Sequence, residues 1–412
     1  MLTESVIEDI INQHSTLRIK EKDKYGEVLT PKKLIEEMLD TLPLDVWSNP
    51  LLTWLDPTSG IGNFMMIVYI RLMKGLQEWE PDDHVRSQHI IQNMLYFIEL
   101  NEENVEKSKE IFGKEVPILK ADFLTSDTFG KQFDIILGNP PFQEDCHTKK
   151  RVGGKNKLYE KIIAKCINLL KIDGYLLFLT PDNFFSGTSK TYHDIIVNYQ
   201  VDTVCFHKSL QSYFPKIQQY VCYFLMKKNQ QLTKINTNTN TKIIGNDGTS
   251  IYSHLLVRPV NPVRNWNVET ETNIQKYVQN TKNKAVYNRG KKLTDYCIDS
   301  SIGKTEYEII FKPLQKLVTT KKELAVGIGI PKIVVFLISV KLELETDYEG
   351  KYGVGPNTLY FPVKNEAEGK VLEDFLKGDI YKTLTQSVKT NRHFLKIPFL
   401  EYLNIQKIVT DI

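Results

Sequence analysis

Cysteine is scarce in this chain. Five residues in 412 (Cys146, Cys166, Cys205, Cys222 and Cys297) form no C-x-x-C pair. Cys166, Cys205 and Cys222 sit in apolar helix or strand patterns, which excludes a disulfide scaffold and implies reduced thiols in an intracellular, cytoplasmic protein. No metal site is expected. Long apolar runs are lacking too: the longest, "IVVFLISV", is too short to cross a bilayer, and the amino terminus reads as an amphipathic helix rather than a secretion signal. A membrane partner is not expected. Charge of one sign is not in excess, since 53 basic residues face 50 acidic ones for a net +3. A nucleic-acid partner would therefore be held by local patches and not by the overall field. Two nucleotide motifs are incomplete. A dinucleotide fingerprint at "LDPTSGIGNF" needs a third glycine where Met65 stands, and "IDSSIGKT" lacks the phosphate-loop glycine at Ile298. No internal repeat is present.

At 412 residues the chain has room for two domains, each with its own core. Ser5 and Glu8 make a capping box before Val6, Ile7, Ile10 and Ile11, so a short amphipathic helix opens the chain. A second helix is expected at "TPKKLIEEML", with Thr30 as cap and Pro31 at the first helical position. From residue 51, the strand-like runs "LLTWLD", "MLYFIEL", "PILKAD", "FDIILGN" and "GYLLFLTP" alternate with amphipathic stretches. That alternation means an α/β fold with a parallel sheet covered on both faces. "VDTVCFHK" and "QYVCYFLMKK" lie too close for a crossover helix and are expected to pair as an antiparallel edge, which makes seven strands. The polar run "NQQLTKINTNTNTK" marks a boundary: residues 1–230 form the first domain, 231–250 a polar linker or loop, and 251–412 the second domain. The second is mixed α+β, with one core strand at "PKIVVFLISV" and a glycine-rich turn at "YEGKYGVGPN".

In a parallel sheet ligands sit beyond the carboxyl ends of the strands, so the residues at those ends carry the functional information. Gly60 and Gly62 follow the first strand, and taken alone they describe equally well a tight turn without a ligand. Glu99 closes the second strand, where a carboxylate can accept both hydroxyls of a ribose. Asp122 closes the third, one residue before Phe123, and could accept from an exocyclic amine while the ring packs on a base. Each carboxylate alone reads as a solvated strand end; with the glycine turn they describe a nucleoside pocket. At the fourth strand, "GNPPF" supplies an amide oxygen from Asn139 and a carbonyl from Pro140, while Pro141 stiffens the turn. That is a fixed pair of acceptors for an NH2 group, and Phe142 follows as a ring able to stack on a heterocycle. The stretch "HTKKRVGGKNKLY" holds Lys149, Lys150, Arg151, Lys155 and Lys157 without an acid, and reads either as a phosphate grip or as a solvated loop.

The ordered set "GEVLTP", "LDPTSGIGNF", "FIELN", "ADFL" and "GNPPF" resembles the S-adenosylmethionine-dependent DNA adenine-N6 methyltransferases of gamma motif order, most like the methylase part of type II restriction-modification enzymes. The resemblance covers residues 25 to about 228. It implies a Rossmann-like seven-stranded methyltransferase sheet followed by a target-recognition domain. It also implies that Thr30 and Pro31 approach the methionine carboxylate of the cofactor, and that Asp56, Pro57, Gly60 and Gly62 shape the methionine and ribose pocket. Glu99 would bind the ribose, Asp122 and Phe123 the cofactor adenine. Asn139 would border the cofactor and, with Pro140 and Pro141, hold the target amine, while Phe142 stacks on the extruded base and Phe214 forms a second aromatic clamp.

By this resemblance the partner is double-stranded DNA. The target atom lies inside the duplex, so the base must be flipped out. About 25 residues precede the first motif, so no cutting domain is expected in this chain and a restriction endonuclease would be a separate partner. Three alternatives remain at this level: a protein-glutamine methyltransferase, an RNA adenine methyltransferase, and a non-enzymatic DNA-binding subunit on the same fold. The intact Asp56, Glu99 and Asn139 set argues against the last.

Overall fold

A computed structural model describes residues 6–7, 9–10, 30–142, 157–186, 190–214, 220–229, 241–245, 247–253, 267–279, 282–288, 305–337, 342–388 and 400–411. The capping residues Ser5 and Glu8 lie outside this set, as do most of the basic stretch after Phe142 and residues 230–240 of the polar run. The chain divides into two compact units, residues 1–184 with 189–256 and residues 185–188 with 257–412. No helix among the described residues is long and apolar enough to cross a membrane.

The first unit begins with α1 (Lys32–Leu39), whose stripe of Leu34, Ile35, Met38 and Leu39 is buried. Its N-cap is Pro31, with no side-chain cap, so Thr30 does not cap this helix as expected. Strand β1 (Trp54–Asp56) leads into α2 (Asn63–Gly75), which is buried without interruption from Asn63 to Tyr69. A helix apolar almost all round belongs inside a core. Then follow β2 (Leu95–Glu99), α3 (Glu102–Phe112), β3 (Ile118–Lys120), β4 (Phe133–Gly138), α4 (Leu158–Leu169), β5 (Leu170–Pro181), α5 (Lys190–Asn198), β6 (Gln200–Cys205) and β7 (Val221–Lys227). β4 and β7 are buried on nearly every residue, the burial of strands covered on both faces.

Among the described residues the sheet has nine strands where seven were expected, in the order β3-β2-β1-β4-β5-β7-β6-β8-β9. β1 to β5 are parallel. β7 runs antiparallel between β5 and β6, so the close pair forms as expected but does not end the sheet. Two more strands do: β8 (Thr241–Ile244), parallel to β6, and β9 (Ser250–Ser253), antiparallel to β8. These residues, expected in the linker and the start of the second domain, belong to the first unit, which extends to residue 256. Only Thr and two Ile mark β8 in sequence, and what seats it is tertiary: Ile243 is fully buried and the Thr241 hydroxyl donates to the Val201 carbonyl at 2.7 Å.

Sheet order decides where a ligand can bind. The chain moves outward from β1 through β2 to β3, then returns to place β4 on the other side of β1, pairing Trp54 with Ile135 and Leu55 with Ile136. The crevice beyond the carboxyl ends of β1 and β4 is the topological switch point, where open α/β sheets hold their ligands.

The second unit is mixed α+β. Its strands β10 (Val286–Asn288), β13 (Lys332–Phe336), β14 (Glu343–Asp347) and β16 (Thr358–Pro362) form one sheet, ordered β10-β16-β13-β14. A second holds β11 (Tyr307–Lys312), β12 (Gln315–Thr319) and β15 (Gly353–Val354). The core strand expected at "PKIVVFLISV" is β13, buried at every residue. Its period of two explains this: Ile333 and Val335 pack with residues of helices α6 (Val268–Tyr277), α7 (Glu366–Lys377), α8 (Asp379–Val388) and α9 (Ile405–Asp411), while Val334 and Phe336 pack with Ile310 and Val354. One buried ion pair crosses this sheet, Lys332 Nζ to Asp347 Oδ2 at 2.5 Å.

Candidate active site

The turn after β1 runs from Asp56 to Gly62 and starts α2. Gly62 is in the left-handed region (φ 88°), and a side chain there would strike the rings of Phe112 and Phe97 at 2.9 and 3.0 Å. Glycine is required because the turn packs this closely on β2 and α3. Gly60 also has positive φ, but among the described residues nothing lies within 4 Å of where its side chain would be. The turn is thus tight on one side and open at Gly60. Its backbone is tied to the next strand end: Gly60 N–H donates to Glu99 Oε2 at 2.7 Å, and Asn101 N–H donates to Glu99 Oε1 at 2.7 Å. Each carboxylate oxygen has two acceptor sites, so these bonds are compatible with a ligand hydroxyl.

Asp56 is 2% exposed, behind Pro57, which is also buried. Burial pushes its carboxyl up to about 8, although the Thr58 N–H at 3.1 Å favours the charged form; the Glu99 charge raises it further. Its neighbour across the crevice is Gly138, the last residue of β4.

Asn139 follows Gly138. Its Nδ2 donates to the Thr30 hydroxyl at 3.1 Å. The carbonyl of Thr30 in turn accepts from Asn63 Nδ2, at 3.4 Å, so the start of α2, the segment before α1 and the exit of β4 are joined in one row. Pro140 is buried, Pro141 exposed and Phe142 half-buried. Phe142 meets Tyr159 edge-on, with centroids 6.2 Å apart, and Tyr159 is braced the same way by Phe184 at 5.8 Å.

Beyond β3, Asp122 is exposed and accepts from Leu124 N–H at 2.9 Å. Phe123 is buried, with the Lys165 ammonium 5.0 Å from its ring. Lys165 donates to the carbonyls of Phe123 and Ser126 at 2.6 Å each and of Leu124 at 3.4 Å, which pins this loop to α4.

Two residues of the expected site have partners within the chain. The Phe214 ring is 4% exposed and belongs to the core of the first unit, so it is not displayed as a clamp. The Lys157 ammonium sits 2.6 Å from Glu160 Oε1 at the start of α4, which offsets its charge as a phosphate grip. Lys149, Lys150, Arg151 and Lys155 lie outside the described residues.

Thr58, Asn63, Gly138, Tyr159 and Lys165 were not singled out from sequence. Asn63 had a signal, a polar residue directly after a glycine turn; Lys165 had none, being one lysine of an amphipathic helix. Asn63 Oδ1 and Thr58 Oγ1 are buried without a hydrogen-bond partner among the described residues. Buried polar atoms are rarely left so. Two carboxylates, these two oxygens and an open glycine make a donor-seeking crevice that fits a ligand carrying hydroxyls and positive charge.

Residues 62–214 match the family model described as Eco57I restriction-modification methylase. An uncharacterised adenine-specific methylase of Mycoplasma pneumoniae is 25% identical over 56% of this chain and 74% of its own length. The modification methylase CviBIII of Paramecium bursaria Chlorella virus NC1A is 28% identical over 44% of this chain and 43% of its own. Among solved structures, a modification subunit of a putative type I restriction enzyme from Vibrio vulnificus YJ016 aligns at 15% identity and a TM-score of 0.43, over 60% of this chain and 53% of that one. This chain therefore spans about half the length of that subunit.

Proposed function

We propose that this chain is a site-specific DNA methyltransferase that moves a methyl group from S-adenosylmethionine to the N6 amine of an adenine turned out of the duplex. The observation that carries the reading is the meeting of Asp56 and Gly138-Asn139 at the switch point. It sets a pocket suited to a cationic nucleoside beside a rigid pair of amine acceptors. The restriction-modification family match and the name of the Mycoplasma pneumoniae relative, an adenine-specific methylase, support this reading.

S-adenosylmethionine, when bound, supplies an electrophilic methyl group on a sulfonium. Asp56, Asn63 and Thr58 would take its amino-acid end, with the backbone N–H groups at the start of α1, and not the Thr30 side chain, near the carboxylate. Glu99 would accept from the ribose beside the open Gly60, and Asp122 and Phe123 would bound the adenine. Asn139 Oδ1 and the Pro140 carbonyl would accept the two hydrogens of the target amine. That amine is a poor nucleophile because its lone pair is delocalised into the ring. Holding both hydrogens helps the nitrogen rehybridise, and alignment then dominates over proton abstraction. Phe142, braced by Tyr159, would stack on the extruded base. The second unit would read the DNA sequence, Lys149, Lys150, Arg151 and Lys155 would contact phosphates, and a cognate nuclease would be a separate protein.

The test is to incubate the protein with tritiated cofactor and, separately, duplex DNA, structured RNA and a release-factor-like protein, then digest the labelled DNA to nucleosides. Label on N6-methyladenine from DNA is the expected result. Label on cytosine, on RNA only or on glutamine would replace the reading, and none at all would leave a binding subunit.

A further inference from the structure

An asparagine side chain has two ends of nearly equal shape, one a donor and one an acceptor, and only its partners decide which end points where. For Asn139 the difference matters. With Oδ1 toward the target amine it accepts a hydrogen; turned over, it would set NH2 against NH2 and lose that bond while opposing two donors. Nothing in "GNPPF" itself distinguishes the two orientations, since the prolines fix the backbone and not the amide.

We propose that Thr30 is the positioning residue that holds the Asn139 side chain in place at the crevice: its hydroxyl takes the Nδ2 end of Asn139, with Oδ1 left on the opposite side. Three observations carry this. The Asn139 Nδ2 to Thr30 Oγ1 bond is 3.1 Å and joins residues 109 apart in sequence. Thr30 is 4% exposed, so water competes little for that bond. And Thr30 is itself anchored, since its carbonyl accepts from Asn63 at 3.4 Å at the first residue of α2, and Pro31 restricts the backbone of Thr30 before it. The same Thr30 does not cap α1, which leaves its hydroxyl to this task. A hydroxyl can donate as well as accept, so it fixes the place of the side chain while the two donors of the target amine select Oδ1 as the end that faces them.

This inference rests on the reading of Asn139 as the amine acceptor, and it predicts a split that a cofactor contact or a folding defect would not give. Thr30→Val keeps the shape and removes the hydroxyl. It should slow single-turnover methyl transfer about tenfold or more, the worth of one oriented hydrogen bond, while calorimetric affinity for S-adenosylmethionine stays within about threefold. Thr30→Ser should recover most of the rate. On an Asn139→Ala background, Thr30→Val should cost nothing further. A Val variant at the wild-type rate, a Ser variant as slow as Val, an affinity loss as large as the rate loss, or losses that multiply in the double variant would each overturn the assignment. A readout independent of activity separates this from the functional reading. In protein labelled with 15N asparagine, the NH2 signal assigned to Asn139 through its absence in Asn139→Ala should shift in Thr30→Val and return toward its place in Thr30→Ser. An unmoved signal overturns the Thr30 bond; a moved signal without any methyl transfer by the wild type overturns the functional reading alone.

Discussion

A methyl group placed on Gly138 would stand 2.8 Å from Oδ1 of Asp56, closer than any carbon and oxygen tolerate without movement. The two residues end adjacent strands, and Gly138 has a φ of 150°, where a side chain is disfavoured in any case. The approach of Asp56 to β4 therefore depends on this glycine. Because Asn139 comes next, Gly138→Ala should displace both the carboxylate and the amide. The expected cost is about 1–3 kcal/mol of stability, the range for overpacking a buried site. Methyl transfer should fall by more than stability explains at a temperature where the variant is folded. Urea unfolding together with single-turnover kinetics checks it, and a variant equal to wild type in both would refute the constraint.

Asp56 should make both stability and cofactor affinity depend on pH. Burial first, then the Glu99 charge, holds its folded pKa at about 8 against the ordinary 3.8, with the Thr58 N–H working the other way. A raised carboxylate pKa means the folded state binds the extra proton, so the stability it brings is complete below pH 3.8 and is lost as pH rises toward 8. Comparing unfolding curves of wild type and Asp56→Asn between those limits should show this slope in the wild type alone. A cationic ligand reverses the preference by stabilising the carboxylate. S-adenosylmethionine should then release a proton on binding below pH 8 and bind more tightly as pH rises to that value. Calorimetry in buffers of different ionisation heat would detect the proton; identical heats in the two proteins would exclude Asp56.

Glu99 holds two backbone N–H groups, of Gly60 and Asn101. Glu99→Ala should weaken S-adenosylmethionine by about 1–3 kcal/mol, the scale of a hydrogen bond to a charged group. Glu99→Gln should lose nearly as much, because its NH2 end must face one of the two N–H donors. A glutamine variant with wild-type affinity in calorimetry would mean that the carboxylate charge is not used.

Lys165 is predicted to matter for the cofactor without touching it. Lys165→Met removes the donor shared by the carbonyls of Phe123, Leu124 and Ser126 and keeps the apolar stem. Hydrogen exchange over residues 122–126 should accelerate, and affinity for the cofactor should fall by about 1–2 kcal/mol, the worth of one or two bonds to a charged donor. Unchanged exchange in that segment would show the loop to be held by other means.

The strand ends were legible because strand period and exit chemistry are local. Asp56, Glu99, Asp122 and Asn139 each close an apolar run, and the structure puts each at or just beyond the carboxyl end of its strand. β8 and β9 were not legible, since a run of Thr, Lys and Ile among asparagines becomes strand only when an edge such as β6 is there to pair with it. Phe214 was expected as a clamp through the resemblance alone, and its place in the core of the first unit is set by tertiary neighbours.

By itself the sequence determined the alternation of strands and helices, the glycine turn, and the acceptor pair held by two prolines. These follow from side-chain period and backbone restriction over a few residues. Only the tertiary structure decided that β1 lies beside β4, that Asp56 is buried against Gly138, and that the Asn139 amide meets Thr30 from 109 residues away. Adjacency depends on sheet order, and burial and hydrogen bonding depend on neighbours that adjacency supplies. The chain writes the groups at its strand ends locally; the order of the sheet determines which of them face one another.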